Sequence, residues 1–407
     1  MKKIELLAPA GDLEKLKIAV DYGADAVYLG GEMFGLRAGA RNFSLEDMRA
    51  GVEYAHGKGR KVHLTVNIFA HNEDINSLDD YLRQVGEIPF DAFIVSDPGV
   101  ICALKEAVPG AEIHLSTQAN TTNYRSAAFW HSQGVKRVVL ARELSLAEIR
   151  EIREKTPGSL ELEAFIHGAM CISYSGRCLL SNFMTERDAN RGLCAHPCRY
   201  KYQLVEEKRP GEYYPIEEDG RGSYIFNSKD LCMIAHIPDL IGAGLASVKI
   251  EGRMKSIFYV AAVVGAYRRA IDAWYADPEH YREDPAWFGE LAKVSNRRFT
   301  TGFYYGRPDH TDQNYETSSY YRDYDFIGLI KDYDPASGLA LVEQRNKICL
   351  GDRVEVFGPG SDFFTQSVGV LLNQDREPIS SAPHPQQMVY IKMEQPVSEN
   401  FMVRRRK

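Results

Sequence analysis

Eight times in the first two-thirds of the chain, a short β-branched and aliphatic run gives way to an amphipathic stretch. In those stretches apolar residues recur with a spacing near 3.6, the period of a helix with one buried face. The strand-like runs are 4–8, 26–30, 62–67, 92–97, 112–117, 137–142, 160–165 and 247–251. Helices are predicted between them, for example over 13–22, 45–58 and 146–155. Ser44 and Ser145 stand where an N-cap belongs, and Gly23, Gly59 and Gly134 where a helix must stop. One grammar repeats: helix, glycine, small or charged step, strand. Tyr22-Gly23-Ala24-Asp25-Ala26-Val27 and Ala243-Gly244-Leu245-Ala246-Ser247-Val248 are two copies.

Eight such units predict an α/β fold of the TIM type, a closed (β/α)8 barrel. An open doubly wound sheet would use fewer strands and a Gly-rich first turn. The first turn here, Ala8-Pro9-Ala10-Gly11-Asp12, lacks that pattern, and Gly242-Ala243-Gly244 precedes a strand rather than following one. The expected organisation is a barrel over 1–276, interrupted after its seventh strand by an insertion at 166–246. That insertion should carry a hairpin, 202–206 with 223–227. A Pro-, Tyr- and Asp-rich linker with one short helix follows over 277–322. Short alternating runs at 326–331, 339–343, 352–357, 367–372 and 388–392 then predict a small C-terminal β-barrel over 323–407.

Composition narrows the function classes. With 407 residues, 44% hydrophobic and 26% charged, the chain is neither disordered nor fibrous. A net charge of −7 argues against a generally basic nucleic-acid coat, leaving the tail Arg404-Arg405-Arg406-Lys407 as a local basic candidate. No apolar run approaches the roughly 18 residues of a membrane span, so no membrane partner and a cytoplasmic location are expected. Seven cysteines in a reducing compartment point to metal or redox chemistry rather than disulfides. Cys102 and Cys349 read as small core residues, and Cys232 as a helix residue that is not a ligand.

Four cysteines, Cys171, Cys178, Cys194 and Cys198, follow the spacing C-x6-C-x15-C-x3-C. Four thiolates from one segment complete the shell of an iron–sulfur cluster or of zinc. Structural zinc prefers two tight pairs, and only Cys194/Cys198 is tight, so a [4Fe–4S] cluster leads, with zinc as the fallback and separate thiols as the third reading. Arg177 and Arg199 adjoin cysteines, and a cation beside a thiol favours the thiolate.

Barrel enzymes place their chemistry where strands end. The polar residues there are Asn67, Asp97, Ser116, Gln118, Asn120, Arg142, Glu143, His167, Lys249, Glu251 and Arg253. We assign His167, Lys249 and Glu251 as catalytic candidates, and Asn67, Gln118, Arg142, Arg177 and Arg253 as substrate-binding candidates. Guanidinium forks suit a carboxylate or a phosphate. Several of these are equally readable as rim salt bridges. His63 and His114 lie within strands and read as interior histidines. The chain has no H-E-x-x-H, G-x-S-x-G or Walker loop.

Leu6-Leu7-Ala8-Pro9-Ala10-Gly11 and Gly23-Ala24-Asp25-Ala26-Val27-Tyr28-Leu29-Gly30 resemble the start of the collagenase-like peptidase family U32. The run from Glu163 to Ser181, including Phe165-Ile166-His167-Gly168-Ala169-Met170-Cys171, is similar to that family's signature. So are Asn227-Ser228-Lys229-Asp230-Leu231 and Val248-Lys249-Ile250-Glu251-Gly252-Arg253. Within the family the chain most resembles the tRNA-hydroxylating branch. That resemblance implies a cluster on the four cysteines, prephenate as co-substrate, 5-hydroxyuridine at the wobble position as product, and tRNA as partner. It leaves open a homologous partner subunit, another RNA as substrate, and the peptidase activity of the family's name. Tyr304, Tyr305, Tyr320 and Tyr321 are candidates for stacking on bases.

Overall fold

The computed structural model describes residues 3–35, 42–171, 173–175, 177–199, 203–205, 213–215, 228–308, 312 and 320–407. Eight parallel strands close a barrel: β1 (Glu5–Pro9), β2 (Ala26–Gly30), β3 (Lys61–Val66), β4 (Ala92–Val95), β5 (Ile113–Leu115), β6 (Arg137–Val139), β7 (Glu161–Ala169) and β8 (Ser247–Ile250). Each pairs with the next, and β8 closes the ring on β1, with Glu5 opposite Ser247 and Leu7 opposite Lys249. Helices α1 (Leu13–Asp21), α2 (Leu45–Gly57), α3 (Asn72–Gly86), α4 (Pro98–Ala107), α5 (Tyr124–Ser132) and α6 (Leu146–Glu154) follow the first six strands.

The helix ends obey local chemistry. Asp12 accepts from Lys15 N at 2.9 Å, and Ser44 from Asp47 N at 3.1 Å. Ser145 and Glu148 form a reciprocal capping box. Gly23, Gly59 and Gly134 hold φ of 103°, 66° and 82°, the left-handed values that end a helix cheaply only at glycine. Alternate strand residues such as Leu6, Leu29, Leu64 and Val95 enter the layer between strands and helices, which is the main core.

The insertion departs from the end of β7. It contains α7 (Leu180–Thr185) and returns through a short strand, Asp230–Cys232, antiparallel to β7, with Cys232 opposite His167. Gln203–Val205 pairs antiparallel with Tyr213–Pro215; the expected partner at 223–227 lies outside the described residues. Helix α8 (Ile237–Gly242) precedes β8, and the long α9 (Ile257–Ala276) follows it. The segment read as a linker is packed. Its helix α10 (Pro285–Lys293) rests on α9, Phe299–Thr300 pairs with the returning strand, and buried Arg297 is held by Asp230.

The C-terminal region is an antiparallel seven-stranded sheet curled around its own apolar core of Ile327, Val342, Val354, Val389 and Val403. Sequence reading merged residues 367–372 into one strand, whereas Phe364–Ser367 and Leu371–Leu372 are separate. This sheet leans on the barrel. Phe258 of α9 stacks on Phe326 at 5.6 Å, and Tyr22 donates to the Asn400 carbonyl at 3.0 Å.

Two expectations are corrected here. Arg404 does not belong to a solvated basic tail: it is fully buried in the last strand, with Nη1 and Nη2 on Glu290 at 2.6 and 2.8 Å and Nε on Glu355 at 2.8 Å. Arg405 and Lys407 are likewise paired, with Asp352 and Asp325. Alternating strand geometry sends every second residue inward, which a run of like charges conceals. The lone cysteines are also reversed: Cys102 is exposed and Cys349 partly exposed, whereas Cys232 is buried, in a strand rather than a helix. Cys102 sits on the outer face of amphipathic α4, where its apolar character misleads.

Candidate active site

Under the barrel mouth lies a buried charge layer. Arg137, at the start of β6, meets Glu163 at 3.0 Å, Glu161 at 2.7 Å and Glu5 at 2.5 Å. Glu163 is fully buried and also faces Lys249 at 3.3 Å. Burial pulls the Lys249 ammonium below the usual lysine range, opposed by Glu163; the Glu163 carboxyl, despite its own burial, is held low by Lys249 and Arg137. His63 and His114 complete the layer, meeting edge-on at 4.8 Å. Desolvation keeps His63 well below the ordinary imidazole value, helped by the positive charge around it.

Above this layer opens a cavity of about 810 Å³. Asn67, Gln118, Arg142, Lys249, Glu251 and Arg253 line it together with Cys171, Cys178, Cys194 and Cys198. Arg142 lies over the Phe165 ring, 3.9 Å from its centre, donates to the Ala169 carbonyl at 2.7 Å, and reaches Glu251 at 3.3 Å. Lys249 sits 4.3 Å from the Tyr28 ring centre. Arg253 donates to Asn42 at 2.6 Å and approaches Thr65 at 3.5 Å. Its guanidinium passes so close to Gly30 that a Cβ there would stand 2.4 Å from Nη2, which explains the glycine at the end of β2. Asn67 donates to Ser116 at 3.1 Å.

Two candidates are not brought into this cavity. His167 is 2% exposed and packed among Tyr259, Tyr267 and Phe299, with ring centres 5.6 to 5.9 Å away. Burial pushes its pKa down to about 3; Asp230 opposes the shift and Lys255 adds to it. A strand alternates its faces, so a histidine at a strand end has even chances of pointing away from the mouth. Arg177 instead lines a side pocket of about 310 Å³, which shares Gln118 with the main cavity.

Tyr320, one of the stacking candidates, lines the cavity, and the structure adds three residues that sequence reading missed: Lys15, Lys255 and Arg322. With Arg142, Lys249 and Arg253 they make six cationic side chains, against the carboxylates Glu251 and Asp325. Lys255 lies 4.1 Å from the Tyr320 ring centre. Of the other tyrosines, Tyr304 is buried with its hydroxyl on the Phe165 carbonyl at 2.5 Å, and Tyr305 is half-exposed beside His236 and Asp239. Tyr321 lies beneath Arg298, 5.2 Å from ring centre to guanidinium. The signal for Lys255 was available in the rule that loops after barrel strands build the mouth, since it lies in the loop between β8 and α9; Lys15 reaches the cavity from the first turn of α1.

The cysteine segment is fastened to the barrel by Arg191, whose fork meets Asp74 of α3 at 2.8 and 2.9 Å and holds that carboxyl low. Within it, Ser181 accepts from Ala195 N at 3.0 Å, and the His196 N–H donates to Cys194 Sγ at 3.4 Å. All seven cysteines are thiols. Among the described residues no three His, Cys, Asp or Glu side chains are gathered closely enough to hold a metal ion. The donor chemistry nevertheless suits a thiophilic centre, because four sulfurs from one segment border a single cavity. Among the described residues, no helix is long and apolar enough to cross a membrane.

A closed parallel barrel whose mouth is capped by a four-cysteine insertion, and which carries a curled C-terminal sheet, defines a distinct class of proteins. Residues 11–314 match the model of peptidase family U32, and residues 322–404 match the model of that family's C-terminal domain; the chain belongs to this family. It is 45% identical over 406 residues to tRNA hydroxylation protein P1 of Bacillus subtilis, covering 100% of this chain and 96% of that protein. It is 38% identical over 443 residues to tRNA hydroxylation protein P of Escherichia coli, covering 98% and 96%. It is also 38% identical over 296 residues to a 23S rRNA 5-hydroxycytidine synthase of Escherichia coli, covering 73% of this chain and 42% of that protein.

Proposed function

We propose that this chain is an RNA-modifying hydroxylase that forms 5-hydroxyuridine at the wobble position of tRNA, using prephenate and an iron–sulfur cluster held by Cys171, Cys178, Cys194 and Cys198. The observation that carries the proposal is the shared cavity: four thiols, two amides and a cationic floor open on one space of about 810 Å³. The likeness to proteins named for tRNA hydroxylation along nearly their whole length supports it. A base in a loop must be turned out of its stack to be reached, and a concave, mostly preformed site suits that. As part of the same reading, the protein works in the cytoplasm.

Converting C5–H to C5–OH removes two electrons from the base and adds an oxygen atom; in this proposal the co-substrate prephenate gives up the oxygen atom and takes up the electron pair, and a bound cluster would pass electrons singly beside it. The residues of the chain do the rest. Arg142 and Arg253, each fixed by neighbours, present guanidinium groups to the carboxylates of prephenate or to a phosphate. Asn67 and Gln118 offer amides to the edge of the uracil. Lys249, supported from below by Glu163, stands at the floor where it holds a proton in a water-poor site. Glu251, joined to Arg142, orients that guanidinium and is one of two carboxylates, with Asp325, on a mainly cationic wall.

The test is nucleoside mass spectrometry of tRNA from a strain lacking this gene and its paralogues. Wild-type protein is expected to restore 5-hydroxyuridine, and each Cys→Ala variant to fail. Anaerobically purified protein should carry about four irons with matching sulfide, lost in those variants. A full complement of 5-hydroxyuridine in the deletion strain overturns the reading, and one zinc with no iron overturns its cofactor.

A further inference from the structure

The side pocket of about 310 Å³ is absorbed by none of the roles above. Its walls include Phe69 in the loop between β3 and α3, Trp130 of α5, Asp97 at the cap of α4, and Arg177 from the cysteine insertion. Arg177 stands over the Phe69 ring at 5.3 Å. Gln118 belongs to both cavities, so the pocket and the barrel mouth share a wall. Gln118 is only 8% exposed, and its Oε1 is buried without a hydrogen-bond partner among the described residues. A buried carbonyl oxygen lacking a donor is costly, and such an atom in a pocket wall marks the place of a ligand's N–H.

The chemistry of the walls selects the ligand class. Two aromatic faces and a guanidinium plane are what an unstacked base uses in single-stranded RNA. The Asp97 carboxylate, already accepting from Gly99 N at 2.7 Å and Val100 N at 3.1 Å, disfavours a small dianion there. A neutral, flat, N–H-bearing group with a phosphate beside it satisfies every wall.

We propose that this side pocket receives the nucleotide adjoining the one that reacts in the barrel mouth. Its base lies against Trp130 and Phe69, with an N–H donated to Gln118 Oε1 and its phosphate toward Arg177. This rests on the RNA reading given above. It makes the pocket a determinant of sequence context, since one flanking base is held while the reacting base occupies the neighbouring cavity.

The test uses full-length protein and fluorescently labelled anticodon stem–loops, with an abasic residue placed in turn on each side of the target uridine. Binding is read by anisotropy, apart from turnover. For wild type, one abasic position should weaken binding about tenfold or more, the loss expected when a stacked base is removed. For Trp130→Ala and for Gln118→Leu, the same abasic substitution should cost less than threefold. Should Trp130→Ala fold poorly, Gln118→Leu alone decides. If wild type and folded variants respond alike to both abasic positions, the pocket is not a nucleotide subsite. If wild type binds none of the stem–loops, the RNA reading falls, and the subsite falls with it.

Discussion

His167 distinguishes a structural from a chemical role most sharply, and acid does the distinguishing. The imidazole is sealed between Tyr259, Tyr267 and Phe299, and burial lowers its pKa to about 3, against about 6.5 in an unfolded chain. The unfolded state therefore takes up the proton first as pH falls. Stability is whole above pH 6.5 and declines below it by about 1.4 kcal/mol per unit until the folded value is reached. Between pH 7 and 5 this one group should remove about 2 kcal/mol, because a folded pKa anywhere near 3 leaves the native ring neutral throughout that window. His167→Phe keeps a ring in the aromatic cage and deletes the titration. Urea midpoints of wild type and variant, measured every half unit from pH 7 to 5, should diverge by that amount, the variant having the flatter curve. Carboxylates and the other buried histidines, His63 and His114, are common to both proteins and cancel. Parallel curves would show that the ring is charged or wet in the fold, and the case for a purely structural His167 would fail.

Three further outcomes follow from other contacts. Arg137→Met leaves Glu5, Glu161 and Glu163 without their shared cation and should cost about 3 to 5 kcal/mol in urea unfolding, as when one partner of a buried ionic network is removed. Gly30→Ala puts a methyl group where the buried, hydrogen-bonded Arg253 guanidinium lies; the overpacking should cost about 1 to 3 kcal/mol in urea unfolding while kcat/KM falls about tenfold, read from hydroxylation kinetics. Arg404→Ala should cost about 3 kcal/mol or more, whereas exposed Arg406→Ala should stay within about 0.5 kcal/mol, and Arg404→Ala that still folds should bind RNA as wild type does, in filter binding at fixed salt.

The barrel was legible because each unit states itself several times over. A periodic apolar run, a capping serine such as Ser145, and a terminal glycine such as Gly134 all point the same way. The mouth was legible for a related reason: strand ends in a barrel converge, so Asn67, Gln118, Arg142, Lys249, Glu251 and Arg253 had to come near one another. What could not be read was that β7 runs on to Ala169, so that His167 lies within the strand and its side chain takes the face away from the mouth; that is why His167 was misplaced. Arg137 escaped notice because an arginine opening a strand looks solvated. Its partners sit on three strands, and only the closed register, with Glu161 beside Arg137 and Glu163 beside Ser247 next to Glu5, assembles them. Gln118 was foreseen as a rim residue, but its place between two cavities depends on the turn of Thr117–Ala119, ended by Asn120 at a φ of 52°.

The short strand Asp230–Cys232 lies antiparallel on His167–Ala169, so the excursion that bears the cysteines leaves and rejoins the sheet at a single seam. Stitched at its base and held to α3 once more by Arg191 on Asp74, the loop has few points at which a change in its length can disturb the staves of the barrel. Loop-closure entropy grows only logarithmically, at about 0.6 kcal/mol for each doubling in length, so such a seam tolerates large changes in what hangs from it. The scaffold can thus keep one rigid throat while its crown is exchanged for another, much as a lens mount accepts different optics.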